Sequence, residues 1–208
     1  MLGRPKDKEL SRVIAKLKAT PAFTARQAIA LGVSRRTLMR LVEKGEFLSR
    51  SAGVFISPSA KVVDGEAVLT DFYAACAKFQ PPCFIGGLTA LDYYDLTDSS
   101  PSKIWVMVPQ NIQSTQKLYR LIRTKDDLEI GVVKTKQFRV SSIERALIDA
   151  LRYSYIWGKP TAMFAIRKAL LEGMTTYEAI SKMATQLGYK KLFMRYADII
   201  SPEALGLQ

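Results

Sequence analysis

The stretch "GVSRRTLMRLVEKG", residues 32–45, decides how the first third of the chain is read. A glycine stands at each end, and Ser34 is placed to cap a helix that Gly45 then stops. Leu38, Leu41 and Val42 recur at helical spacing and form one apolar face. Arg36, Met39, Arg40 and Glu43 recur at i, i+3, i+4 and i+7 on the other, with Arg35 beside them. Such a helix is either an amphipathic element with a solvated basic face or a helix built to lie in a nucleic-acid groove.

The flanking sequence favours the groove. "FTARQAIALG" (Phe23–Gly32) predicts a short helix: Thr24 with Gln27 makes a capping box, Phe23 can staple it, and Gly32 closes it. Two helices joined by a tight glycine turn have helix-turn-helix spacing. Upstream, Leu10, Val13, Ile14 and Leu17 place one buried face on a helix over Asp7–Lys18, ended by Thr20-Pro21. Downstream, "EFLSRSAGVFIS" predicts strands over Phe47–Arg50 and Gly53–Ser57 with a Ser-Ala-Gly turn, stopped by Pro58. Helix, helix, turn, helix and hairpin is the order of a winged helix-turn-helix. It is expected to occupy residues 1–60, with the boundary at 58–64.

Charge supports a nucleic-acid partner. The 208 residues carry 31 Lys+Arg against 19 Asp+Glu, a formal net charge of +12. Residues 1–60 hold twelve cations and four acids, so two thirds of the surplus lies in under a third of the chain. On the 34–44 helix the only acid, Glu43, is at the far end, so no i to i+4 pairing neutralises the arginines. Arg35 and Arg36 oppose the helix dipole, and a phosphate backbone would reverse the sign of that cost. "GRP" (Gly3–Pro5) followed by Lys6 resembles half of an AT-hook, although a solvated basic tail has the same composition.

Individual roles follow from position. Arg36 and Arg40 are placed for guanine edges. Arg35 and Lys44 suit phosphate, as does Ser34 with the N–H groups of the helix start. Met39 and Thr37 could meet a thymine methyl, or Thr37 could pack within the module. Arg50, near the hairpin tip, would reach the minor groove or backbone. Leu38, Leu41 and Val42 are core.

The remainder, residues 61–208, is expected to be an α+β domain with a small sheet and a helical tail. A helix is expected over Gly65–Phe79. "PPCFIGGLTALDYYDLTD" gives a short strand, a Gly-Gly turn and a helix, and "SKIWVMVP" a buried strand. A helix is expected over Gln113–Thr124, and one or two strands in "LEIGVVKTKQFRV". Ser141 with Glu144 is expected to cap the helix of "SSIERALIDAL". Three more helices are expected near 160–172, 176–187 and 190–200, with Gly173 and Gly188 as stops.

Composition narrows the chemistry. The absence of histidine removes Ser-His-Asp and Cys-His catalysis and His-ligated metal sites. Cys76 and Cys83 fit no common zinc spacing and suit buried thiols in a reducing compartment. No signal sequence and no apolar run long enough to span a membrane is evident, so a cytoplasmic protein without a membrane partner is expected. A nuclease would need carboxylates and a lysine on adjacent strands around Mg²⁺. "DDLEIGVVKTK" offers Asp126, Asp127, Glu129, Lys134 and Lys136, but a lysine stands where that motif needs an acid, and a solvated hairpin edge accounts for the pattern. "RYSYIWGKP" gathers Tyr153, Tyr155 and Trp157, as core or as interface. Lys159, Arg167 and Lys168 could form a second basic surface.

Three segments carry a resemblance. "FTARQAIALGVSRRTLMRLVEKGEFLSRSAGVFISP" (Phe23–Pro58) resembles the N-terminal domain of the AbiEi family, the antitoxins of AbiE abortive-infection (type IV) toxin–antitoxin systems. "FIGGLTALDYYDLTDSSPSKIWVMVP" (Phe84–Pro109) is similar to that family's small-residue turn, short helix and following strand. "RVSSIERALIDAL" (Arg139–Leu151) is similar to its strand and Ser-Pro-Glu-Arg helix start. Here Ile143 replaces the usual proline, and "YYDL" stands where His-Gly-Leu is frequent. The resemblance covers roughly residues 23–152. It implies a protein that is not an enzyme and holds no cofactor or metal. Its winged helix would repress its own operon by binding double-stranded operator DNA. Its C-terminal domain would oppose a nucleotidyltransferase-like toxin encoded next door, without requiring a stable complex. The competing expectation is a stand-alone winged-helix transcription regulator with a ligand-binding or dimerising C-terminal domain.

Overall fold

The computed structural model describes residues 5–60, 67–135 and 138–206. Residues 1–4 of the basic start, residues 61–64 of the expected boundary, Gly65 at the start of the expected helix and Lys136 lie outside them. The fold is α+β, and the chain divides into two compact units, Met1–Gln80 and Pro81–Gln208. Among the described residues no helix is long and apolar enough to cross a membrane.

The first unit begins with α1 (Pro5–Lys18), whose Leu10, Val13, Ile14 and Leu17 face the core as their spacing requires. β1 (Ala22–Thr24) follows, then α2 (Ala25–Ala30), α3 (Arg35–Glu43), β2 (Leu48–Ser51), β3 (Val54–Ile56) and α4 (Ala67–Phe79). Thr24 closes a full capping box with Gln27: the Gln27 N–H donates to Thr24 Oγ1 at 3.2 Å, and the Thr24 N–H donates to Gln27 Oε1 at 2.7 Å. The strands form an antiparallel sheet in the order β1-β3-β2. The sequence reading missed β1. Three residues carry too little periodicity to declare a strand, and their partner lies some thirty residues away, Ala22 opposite Ile56. Phe23 then anchors the module, 4.9 Å edge-on from Phe47 and 5.9 Å stacked on Phe55. Burying each such ring contributes roughly 1.5–3 kcal/mol.

α4 packs on β1 and β3 and belongs to the first unit. The unit therefore runs to residue 80, twenty residues past the expected end at 60. Phe72, Tyr73, Ala74 and Ala75 of this helix are buried. Its apolar stripe was legible, but a stripe does not say which core it covers.

The second unit carries β4 (Phe84–Ile85), α5 (Gly87–Tyr93), β5 (Ile104–Pro109), β6 (Tyr119–Thr124), β7 (Val132–Lys134) and β8 (Arg139–Ser141). It continues with α6 (Ile143–Arg152), α7 (Ser154–Trp157), α8 (Lys159–Leu171), α9 (Tyr177–Gln186), α10 (Lys190–Met194), α11 (Ala197–Ile200) and α12 (Pro202–Leu205). The sheet order is β6-β5-β4-β8-β7, with β5–β6 and β4–β8 parallel and the other pairs antiparallel. The expected helix over Gln113–Thr124 is instead a loop leading into β6. Tyr119, Leu121, Ile122 and Thr124 are aromatic, branched or β-branched residues that pair along the whole of β5. Ser141 is still in the ladder, opposite Val132, so the cap of α6 moves to Ser142, whose Oγ accepts the Arg145 N–H at 3.3 Å. The expected capping box with Glu144 is absent from that site, and the Glu144 carboxylate accepts the Thr175 hydroxyl at 2.8 Å. The expected 190–200 helix is broken into α10 and α11.

Candidate nucleic-acid interface

α3 is held from both sides. The Val33 N–H donates to Ala28 O at 3.0 Å and its side chain is buried, fixing the turn after Gly32. Ser34 Oγ accepts the Thr37 N–H at 3.1 Å and lies 2.9 Å from Thr37 Oγ1. Leu38 and Leu41 are buried in the core, with Val42 packed against it. With that face committed, the opposite one is set without ambiguity.

Arg35, Arg36, Met39, Arg40 and Lys44 are all exposed, as the helical spacing requires. Arg36, Thr37, Met39, Arg40 and Glu43 line one shallow depression. Among the described residues, Arg35, Arg36, Arg40 and Lys44 have no ion-pair partner. The nearby Glu46 is spoken for: Lys18 Nζ sits 2.7 Å from its carboxylate, and that hydrogen bond holds the Glu46 carboxyl below its usual range. Met39 is 44% exposed, a large apolar side chain amid cations. Thr37 is half-buried with its hydroxyl on Ser34, so it serves the cap first. Arg26, exposed on α2 and without an ion-pair partner among the described residues, is a further cation that sequence reasoning left unassigned. Its place in the first turn of a capped helix was the available signal.

Arg50 departs from expectation. It stands where the β2–β3 register shifts between Ser49 and Ser51, and its guanidinium forms a bidentate pair with Asp71 of α4. The Nη2–Oδ2 distance is 2.7 Å. The guanidinium fork is thus occupied within the unit rather than offered outward. Nothing in the local sequence joins a hairpin arginine to an acid 21 residues later.

Of the carboxylates weighed for a nuclease, Asp126 and Glu129 are bound into ion pairs, whereas the Asp127 carboxylate accepts the Glu129 N–H at 2.8 Å. Asp126 is the partner of Arg152 and accepts the Tyr189 hydroxyl at 2.8 Å. Glu129 lies 2.6 Å from Lys134 and 2.7 Å from Arg139, and those hydrogen bonds hold its carboxyl below the usual range. Arg145 is fully buried: Nε donates to Asp149 Oδ2 at 3.0 Å, and Nη1 donates to Asp127 O at 3.1 Å and Ile130 O at 2.8 Å. Burial pushes the Asp149 carboxyl above its usual range against the pull of Arg145. Among the described residues no three His, Cys, Asp or Glu side chains converge as a metal site would require. Cys83 is buried and Cys76 half-buried. Tyr153 and Trp157 are core or partly buried core, with Trp157 5.3 Å from Trp105, whereas Tyr155 is 78% exposed. Lys168 pairs with Asp95 at 2.8 Å, which removes it from the expected basic surface with Lys159 and Arg167.

No family model matches the chain, and no curated protein does. Among solved structures, the crystal structure of the RV2827C protein from Mycobacterium tuberculosis is similar, with a TM-score of 0.59 at 12% sequence identity. The match covers 96% of this chain and 78% of that one. At that identity the likeness is one of fold.

Proposed function

We propose that the first unit is a winged helix-turn-helix that reads operator DNA through α3. We further propose that the protein is a cytoplasmic, autoregulating antitoxin of the AbiEi type. The observation that carries the DNA reading is the outer face of α3: exposed, unneutralised Arg35, Arg36 and Arg40 around Met39, on a helix whose other face is locked into a core. On this reading β2 and β3 are the wing, and β1 completes the small sheet behind it. Arg36 and Arg40 address guanine edges, each bidentate contact giving about 1–3 kcal/mol of discrimination. Met39 meets a thymine methyl. Arg35 and Lys44 meet phosphate, and the Ser34-capped helix start offers its N–H groups to a phosphate oxygen. Arg50 has a different part: through Asp71 it braces the wing against α4.

The antitoxin half rests on the resemblance of Phe84–Pro109 and Arg139–Leu151. Within that second segment Arg145 and Asp149 build a buried brace, so residues that oppose a toxin would lie on the surface around it rather than in the motif itself. Two experiments test the two halves separately. Selection from a random duplex pool should enrich one sequence with the intact chain and none with Arg36→Ala/Arg40→Ala; equal enrichment by both would remove α3 from the reading. Co-expression with an adjacent nucleotidyltransferase-like reading frame should restore growth. Failure there would leave a stand-alone regulator.

A further inference from the structure

The turn between α9 and α10 builds a cationic cleft that the DNA reading of α3 does not use. Gly188 takes φ +79°, and the chain turns directly into α10. Tyr189 is pinned: its N–H donates to Ala184 O at 2.6 Å, its hydroxyl donates to Asp126 Oδ1 at 2.8 Å, and the Arg152 guanidinium lies 4.5 Å from its ring. Phe193 is fully buried and fixes the inner side of α10. Lys190, Lys191, Met194 and Arg195 are therefore held outward, and with Gly188 they line one open depression of about 780 Å³.

The charge in this segment is unbalanced. From Ala179 to Ala197 the sequence holds Lys182, Lys190, Lys191 and Arg195 and no acid. Among the described residues none of these four has an ion-pair partner. An ordinary solvated surface intersperses both signs. Here three cations and an exposed methionine converge on one concave patch.

We propose that this cleft binds the phosphate backbone of nucleic acid, as a contact separate from α3. An open, shallow depression suits a repeating anion that tracks across it better than a small ligand that must be enclosed. Two lysines act as point charges without directional demands, and Arg195 adds a planar fork for phosphate. An acidic peptide added as a strand would need free main-chain groups. The lining comes from a helix and its turn, and the Gly188 and Tyr189 N–H groups are already spent on Thr185 O and Ala184 O.

The test uses the full chain carrying Arg36→Ala/Arg40→Ala, so that α3 contributes little, and a labelled 30-bp random-sequence duplex as probe. Affinity is followed across a salt series with and without Lys190→Ala/Lys191→Ala/Arg195→Ala. Each phosphate contact contributes about 0.9 to the log–log salt slope, so losing three flattens it by roughly 2.7. That is a roughly 40-fold smaller loss of affinity between 50 and 200 mM salt. The charge-preserving Lys190→Arg/Lys191→Arg/Arg195→Lys variant is expected to keep the slope, which separates charge from shape. An unchanged slope in the alanine variant, with far-UV circular dichroism unaltered, overturns the proposal. Displacement of the probe by polyglutamate as effective as by unlabelled duplex of equal charge overturns it too, and assigns the cleft to an acidic polypeptide.

Discussion

Replacing Asp149 with alanine removes the carboxylate from the buried brace of the second unit. Arg145 is wholly inaccessible and Asp149 nearly so. Without Asp149 the guanidinium keeps two carbonyls, Asp127 O and Ile130 O, and a looser contact to Asp126 Oδ2 at 3.6 Å. Breaking a buried pair by removing one partner costs about 3–5 kcal/mol, because a charge is left uncompensated out of water. Asp126 supplies part of that compensation, but it is already shared with Arg152 and Tyr189. The expected cost is therefore at the lower end, about 3 kcal/mol. The chain's two tryptophans, Trp105 and Trp157, both lie in the second unit, so their fluorescence in a urea titration reports this unit alone. With a slope near 2 kcal/mol per molar urea, the midpoint should fall by about 1.5 M. The double variant Arg145→Met/Asp149→Leu removes both charges and should recover to within about 1 kcal/mol of the parent. A shift under 0.5 M urea for Asp149→Ala, roughly 1 kcal/mol on the same slope, would refute the reasoning. So would a double variant no better than the single.

Further outcomes follow from the same contacts. Arg50→Ala should change affinity for the selected DNA by no more than about twofold and cost about 0.5–1 kcal/mol of stability, since its guanidinium is half-exposed and bound to Asp71. A tenfold affinity loss would return Arg50 to the DNA contacts. Gly131→Ala should destabilise the second unit by more than about 1 kcal/mol, since φ is +64° and a Cβ would sit 2.8 Å from Arg145 Cβ and 2.9 Å from Met183 Sδ; thermal melting reads this directly. Glu129 has a lowered folded-state pKa through Lys134 and Arg139, so its contribution is present above its ordinary value of 4.5 and lost as pH falls through the folded value. Glu129→Gln should therefore flatten the acid limb of a stability–pH profile and leave the alkaline limb alone.

Local signals were legible wherever a few adjacent residues settle the outcome. The Thr24–Gln27 box, the Leu10–Leu17 stripe and the Leu38/Arg36 division of α3 each depend on contacts within one or two turns. Distance in the chain defeated the rest. β1 exists because β3 is there to receive it, and β6 because β5 runs alongside. Ser141 and Ser142 are both competent caps, and only the pairing of Ser141 with Val132 selects the second. The site shows the same divide. The exposure of Arg36 and Arg40 followed from helical spacing, whereas the capture of Arg50 by Asp71 depends on where α4 folds back. Lys190, Lys191, Met194 and Arg195 share one helical face within the expected 190–200 helix, but only the burial of Phe193 shows that this face of α10 is the outward one.

The central claim is that α3 reads DNA sequence, and fluorescence anisotropy tests it most directly. The intact chain would be titrated across a salt series into the duplex upstream of its own gene and into a scrambled duplex of the same composition, with Arg36→Ala/Arg40→Ala run beside it. The account predicts binding to the upstream duplex at least about thirtyfold tighter than to the scrambled one, the lower bound for two guanine contacts of about 1–3 kcal/mol each. It also predicts that this preference collapses in the double variant. Equal affinity for both duplexes, with little change in the variant, would contradict it and leave α3 as a basic surface without a sequence to read.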